Sequence, residues 1–181
     1  MSADIVSQLL ALPGHQRELD AGECLFRQGR RVQALHVVRA GLVDLVRTQP
    51  AGQSLILQRA ETGAILAEAS MYSSHYHCDG VARVPSRGYR VSRSVFDDLL
   101  RRNTDVADLW QQHLARETQR ARYRAEILAL RTVAERLDGW LAWHDGILPA
   151  RGDWKSLAHE IGVSPEALYR ELASRGSGGS R

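Results

Sequence analysis

Gly63-Ala64-Ile65-Leu66-Ala67-Glu68-Ala69-Ser70-Met71-Tyr72-Ser73-Ser74-His75-Tyr76-His77-Cys78-Asp79-Gly80-Val81-Ala82 is the stretch on which the reading of this chain turns. Before it, glycines punctuate a run of short apolar alternations. After it come a long segment free of proline and glycine and then a compact helix-turn-helix pattern. The stretch carries a glutamate, two histidines, a cysteine and an aspartate, all chemistry-bearing side chains. The chain thus reads as a β scaffold, a candidate binding segment, and a helical second half.

The glycines Gly29, Gly41, Gly52 and Gly63 recur every 11 or 12 residues. Between them lie the strand-like runs Leu35–Val38, Leu42–Val46 and Ser54–Gln58. Short strands with turn signals at this spacing predict an antiparallel sandwich or barrel. Leu42, Asp44 and Val46 are expected to point one way, Val43, Leu45 and Arg47 the other. Gly52, after Pro50 and Ala51, supplies the positive φ that a hairpin turn often requires.

Composition sets the outer bounds. The 181 residues suffice for one ordinary domain and a small second one, and 44% hydrophobic with 25% charged residues describes a globular chain. No run approaches the ~18 apolar residues of a membrane helix. The N-terminus lacks the basic region and apolar core of a signal peptide, so the expectation is a cytoplasmic protein without a membrane partner. Two cysteines, Cys24 and Cys78, are too few for a disulfide framework. Cys24 is expected in the core, and a Cys24–Cys78 redox pair would need a distance that spacing does not give. Lys155 is the only lysine, and the net charge of +3 is weak support for nucleic-acid binding.

Gly22-Glu23-Cys24-Leu25-Phe26-Arg27-Gln28-Gly29, followed by Leu35-His36-Val37-Val38-Arg39-Ala40-Gly41, resembles the opening of a cyclic-nucleotide-binding β-roll. The order of elements is similar to that of the CRP/FNR family of bacterial transcription regulators, from about Gly22 to Leu172. The resemblance implies an α+β fold: an antiparallel β-roll sensor over residues 1–102, a long dimerisation helix over 103–130, and a helix-turn-helix domain over 131–173. It implies double-stranded DNA and a second copy of the chain as partners, and no enzymatic activity.

In that family a glutamate holds the ribose of a cyclic nucleotide, and an arginine followed by serine or threonine holds the phosphate. Gly63 and Glu68 match the first part. Cys78 stands at the arginine position and Asp79 at the hydroxyl position. A thiol beside a carboxylate offers no charge-assisted fork for phosphate, and Asp79 repels it. Glu68 and Asp79 therefore remain candidate effector-binding residues, but for an effector other than a cyclic nucleotide. Arg83 would need a different backbone path to replace the missing arginine.

His75, His77 and Cys78 are suitable ligands for zinc, copper or iron, which points to a metal ion, haem or a redox signal. On a regular strand His75 and His77 share a face and Cys78 faces away, so a bend would be needed to bring all three to one ion. Glu68, Asp79, Cys24 or a partner chain would supply a fourth ligand. The competing reading is a loop with surface histidines and an inert, buried Cys78. A nucleophilic Cys–His pair is disfavoured because no third, orienting group is evident.

Ser92 or Ser94 caps a short helix around Phe96–Leu100, and Asn103 or Thr104 starts the long one. Val106, Leu109, Trp110, Leu114, Ala121, Ile127 and Leu128 follow a heptad in part. Glu117 and Arg124 interrupt this seam, either pairing across a dimer or standing in solvent. Val133, Leu137, Trp140 and Leu141 then form the apolar face of a packing helix.

In the reader, Leu157, Ala158 and Ile161 are expected to be buried, with Gly162 in the turn, Val163 in the core, Ser164 as cap and Pro165 at the first helical position. Leu168 and Leu172 pack inward. Ala158 and Gly162 have the helix-turn-helix spacing. Glu166 and Arg170, four apart on one face, match base-reading positions of the family, with Arg170 forking onto guanine and Glu166 accepting from cytosine. Pro165 replaces a family arginine, which alters the expected sequence preference. Tyr169 and Lys155 are candidate phosphate contacts. The DNA surface thus comprises Lys155, Ser164, Pro165, Glu166, Tyr169 and Arg170. The alternative is that Glu166 and Arg170 merely pair with each other.

The family continues into a two-stranded wing, whereas residues 174–181 are Gly/Ser-rich and read as a flexible tail. This leaves open a second function: a dimeric sensor or interaction module of the same fold without autonomous DNA binding.

Overall fold

The computed structural model describes residues 4–52 and 54–177. The chain divides into two compact units between Leu114 and Ala115.

Unit 1 opens with α1 (Ile5–Leu10), capped by Asp4, whose carboxylate accepts from the Val6 N–H. Eight strands follow: β1 (Gly14–Leu19), β2 (Cys24–Phe26), β3 (Ala34–Ala40), β4 (Leu42–Thr48), β5 (Ser54–Glu61), β6 (Ile65–Leu66), β7 (Asp79–Ala82) and β8 (Ser86–Ser92). They form two antiparallel four-stranded sheets, ordered β1-β8-β3-β6 and β2-β7-β4-β5. This is the expected antiparallel β-roll. It begins at Gly14, earlier than the Gly22 suggested by the sequence.

β3 is one of the two inner strands of the first sheet, and Ala34, Leu35, His36, Val37 and Val38 are all buried. One face packs on helices and the other on the second sheet, which is why its sequence is a continuous apolar run rather than an alternation. Gly41 turns β3 into β4 at φ 90°, and a Cβ there would lie 2.2 Å from Ser86 Oγ, so only glycine fits. β4 is covered on both faces at its centre, and its pairing with β7 runs without a shift. Val43, Asp44 and Leu45 are all buried, and the register with β5 shifts between Leu45 and Val46.

α2 (Arg93–Arg102) is capped by Ser92, which accepts from the Val95 N–H. Asn103 Oδ1 accepts from the Val106 N–H and starts α3 (Thr104–Ala129). The separate helical segment expected over 103–130 is instead shared by the two units. The physical reason is Trp110, 2% exposed, which meets Phe96 edge-on at 4.7 Å and donates its indole N–H to Tyr72 Oη. Val106 is buried beside it. These side chains tie the start of α3 into the core of unit 1.

Unit 2 holds the rest of α3 with α4 (Val133–Trp143), α5 (Trp154–Glu160) and α6 (Pro165–Ser177). Its core is Tyr123, Ile127, Leu137, Trp140, Leu157, Ala158, Ile161 and Leu168. α4 starts with a capping box: Thr132 Oγ1 accepts from the Glu135 N–H, and Glu135 accepts from the Thr132 N–H. α6 runs to Ser177, so the segment read as a tail from residue 174 is helical to that point. Arg175 holds it there, paired with Asp138 on α4 and with Glu171. The remainder of that tail, residues 178–181, lies outside the described residues.

The heptad seam is also redistributed. Val106, Trp110 and Ile127 are spent on the cores of their own chain. Glu117 pairs with Arg120 in its own helix rather than standing free for a partner.

Candidate functional site

The turn that leads into β6 is clipped to β3 by two backbone hydrogen bonds, Gly63 N–H to Val38 O and Val38 N–H to Ala64 O. Ala67 then takes a left-handed φ of 70°, and Glu68–Ser70 form a 3-10 turn. A left-handed alanine is strained, and it turns Glu68 into the roll, where it is 8% exposed.

From Ser74 to Tyr76 the chain lies beside the loop between β2 and β3, and it bends at His77 and Cys78 before entering β7. Val32 N–H donates to Ser74 O, Tyr76 N–H to Arg30 O, and Gly29 N–H to Tyr76 O. Arg31 and His75 form a bridge. Tyr76 and Cys78 are buried, while His75 and His77 are exposed. The bend at His77 and Cys78 does not gather the three predicted ligands at one point. His75 Nδ1 engages Ser74 Oγ and His77 Nδ1 engages Ser70 Oγ, each at 2.8 Å.

Among the described residues no group of three His, Cys, Asp or Glu side chains is placed to hold a metal ion. Burial pushes the Cys78 thiol up to about 11, with Glu68 and Asp79 adding to the effect. A protonated thiol is a poor nucleophile. The three predicted ligands are thus not gathered into a metal or haem centre in this structure. Cys24 and Cys78 are both free, and Cys24 is half-buried rather than in the core.

The predicted effector residues are differently employed. Asp79 Oδ1 accepts from the Gln28 N–H at 2.6 Å and anchors the loop after β2. Arg83 is committed to Asp44, which is fully buried and also gripped by Arg59. Neither provides a cation for a phosphate beside Glu68. Burial, then the charge of Arg47, lowers the His77 imidazole, and Arg47 partly opposes the rise of the Cys78 thiol. Sequence reading placed Arg47 on β4 without a role. The signal lay in the β4–β7 register, where Val46 pairs with Asp79.

In unit 2 the turn between α5 and α6 is built as its residues suggest. Gly162 has φ 68°, and a Cβ there would lie 2.4 Å from Leu128. Ser164 Oγ accepts from the Ala167 N–H, and Pro165 occupies the first helical position. Arg136, unremarked in the sequence, locks this turn to the end of α3. Its guanidinium donates to the carbonyls of Leu128, Leu130, Ile161 and Gly162.

Lys155, Ser164, Glu166, Tyr169 and Arg170 are exposed. Glu166 and Arg170 do not form an ion pair. The Glu166 carboxylate turns to its own helix start, where its own backbone N–H and Ser164 hold it below the ordinary range. Among the described residues Arg170 has no hydrogen-bond or ion-pair partner, so its guanidinium fork is available. Tyr169 leans on Trp154, with ring centroids 5.8 Å apart.

Residues 16–103 match the family model described as cyclic nucleotide-binding domain. The structure is similar to that of FixK2 from Bradyrhizobium japonicum, with a TM-score of 0.73 and 17% identity over 93% of this chain and 87% of that one. It is also similar to the sensor domain of the transcriptional regulator DNR from Pseudomonas aeruginosa, at 0.55 and 30% over 71% and 83%. A third likeness is to the catabolite activator protein of Thermus thermophilus, at 0.54 and 25% over 92% and 80%. No match is found among curated protein sequences.

Proposed function

Taking residues 16–103 as a member of the cyclic nucleotide-binding domain family, we propose that the chain is a transcription regulator of the CRP/FNR type. Unit 1 is its sensor and unit 2 its DNA reader. The observation that carries the reading is Arg170, whose exposed guanidinium stands on the second helix of a helix-turn-helix and acts on Glu166 only through its charge. Such a helix enters the major groove by its N-terminal residues, and arginine forks onto guanine. Glu166, Tyr169 and Lys155 flank it, with Ser164 and Pro165 fixing the helix start.

A homodimer through α3 fits the requirement for two readers on one two-fold operator. From Gln111 to Arg122 no side chain of α3 is fully buried, which leaves this stretch for a second copy. The effector is not a cyclic nucleotide bound in the family manner. Cys78 is neutral at its position and Asp79 is an anion already engaged. The account assigns no catalytic role, and the cytoplasm is the compartment it requires.

Selection from random duplexes tests the function. The expected product is a two-fold-symmetric site whose affinity falls steeply with salt. No enrichment over unselected duplex would refute DNA reading. The second reading, a sensor that docks on protein, is favoured by Trp143 and Ile147, 58% and 68% exposed on unit 2. It predicts a retained fold and no DNA affinity.

A further inference from the structure

An open cleft of about 840 Å³ lies in unit 1, away from the cassette carboxylates, with neither Glu68 nor Asp79 in its lining. Arg17, Arg27, Arg30, Arg31 and Arg90 line it, against the single carboxylate of Glu23. That carboxylate already accepts from the Asp20 N–H. Among the described residues none of the five arginines forms an ion pair. Arg17 donates only to the Leu25 carbonyl, at 3.4 Å. Clustered cations without counter-charges repel one another, a cost that an anionic ligand would relieve.

The floor of the cleft is His36. It is 3% exposed, and among the described residues neither ring nitrogen has a hydrogen-bond partner. A buried imidazole without partners costs stability, and such exceptions call for a functional account. The sheet register aims it. His36 pairs with Arg90 across β3 and β8, and Arg90 pairs with His15 across β8 and β1. Directly opposed residues share a face, and Arg17, two residues beyond His15, shares it too. Phe26 stacks on His36 at 5.3 Å and on Tyr76 at 4.6 Å, which fixes the ring at the base of the cleft.

We propose that this cleft binds a small phosphate-bearing anion, gripped by Arg17 and Arg90 and hydrogen-bonded at its inner end by His36. Arginine forks match phosphate oxygens in pairs, and a neutral imidazole supplies one N–H donor. The surplus of positive charge suits a ligand with more than one phosphate. A duplex backbone cannot reach the floor, because His36 lies beneath the arginines. The inference stands on unit 1 alone and is independent of DNA reading.

Inorganic pyrophosphate is the probe, titrated calorimetrically into the full chain at physiological ionic strength. Cys24 lines the cleft and serves as a reporter by its alkylation rate. The expected result is saturable binding at one site per chain, with Cys24 protected. Arg90→Gln and His36→Leu should each weaken it about tenfold or more, while Arg39→Gln, an exposed arginine outside the cleft, leaves it unchanged. Should His36→Leu fail to fold, Arg90→Gln and Cys24 protection decide. No saturable binding would overturn the proposal. So would equal weakening by Arg39→Gln, which marks diffuse charge only, or protection of Cys24 by duplex DNA, which marks a nucleic-acid surface.

Discussion

Arg83 Nε lies 3.0 Å from Asp44 Oδ2, and the Asp44 carboxylate is completely buried. Arg59 donates to both oxygens, Nε to Oδ1 at 3.0 Å and Nη2 to Oδ2 at 3.3 Å. This arrangement joins β4, β5 and the end of β7, and it occupies the arginine closest in sequence to the place where a nucleotide phosphate would need one. Removing one partner of a buried pair is costly, but both arginines are partly solvated, which softens the loss. Asp44→Ala is expected to lower stability by about 2–3 kcal/mol, read from the urea midpoint at an unchanged slope. Arg83→Ala, at a half-exposed position, should cost under about 1 kcal/mol. Cyclic AMP titrated into the wild-type chain should give no saturable heat.

His36 makes the roll sensitive to acid. Burial, then Arg90 and Arg17, lower its pKa from 6.5 to about 3. The folded state therefore keeps it neutral, while the unfolded chain takes up a proton below 6.5. Its contribution is fully present above about pH 6.5 and is lost as the pH falls from there toward 3, at about 1.4 kcal/mol per unit. At pH 5 the loss is about 2 kcal/mol relative to pH 7. His36→Leu should flatten this part of the profile, measured by denaturant titration at a series of pH values. An unchanged slope would show that other groups cause it.

Cys78 should be chemically silent. With its thiol at about 11, roughly a thousandth is thiolate at pH 8. Iodoacetamide is expected to modify Cys24 in the folded protein and to reach Cys78 only after unfolding, followed by peptide mass spectrometry. Alanine at His75 or His77 should leave metal content unchanged.

Arg136 is the expected weak point of unit 2. Its guanidinium closes four carbonyls at the junction of α3 with the reader turn. Arg136→Ala would strand these acceptors and loosen the turn at Gly162. A loss of about 2–4 kcal/mol from unit 2 is expected by thermal or denaturant unfolding. Arg136→Lys, with one ammonium in place of the fork, should recover only part of it.

The sequence was most legible where structure is local. The start of α3 follows from the Asn103 cap, and its unbroken length from a stretch without glycine or proline. The reader turn follows from Gly162, Ser164 and Pro165, whose roles need no distant residue. Misreadings arose where register or tertiary packing decides. His75, His77 and Cys78 look like a ligand set because they are adjacent, but the fold buries Cys78 and leaves the histidines exposed. Val106, Trp110 and Ile127, read as part of a helix seam, find partners in their own chain. The arginine cleft was invisible because β1, β2, β3 and β8 assemble it from separate segments, and only the β1–β8–β3 register puts Arg17, Arg90 and His36 on one face.

The central claim is that unit 2 reads DNA through Arg170. The most direct measurement is fluorescence anisotropy of the selected operator with the wild type, Arg170→Ala and Lys155→Ala over a range of salt. Arg170→Ala should cost about 1–3 kcal/mol and relax discrimination at one guanine position. Lys155→Ala should weaken all sequences alike and reduce the salt slope by about one. Wild-type affinity in Arg170→Ala, with sequence preference intact, would contradict the account.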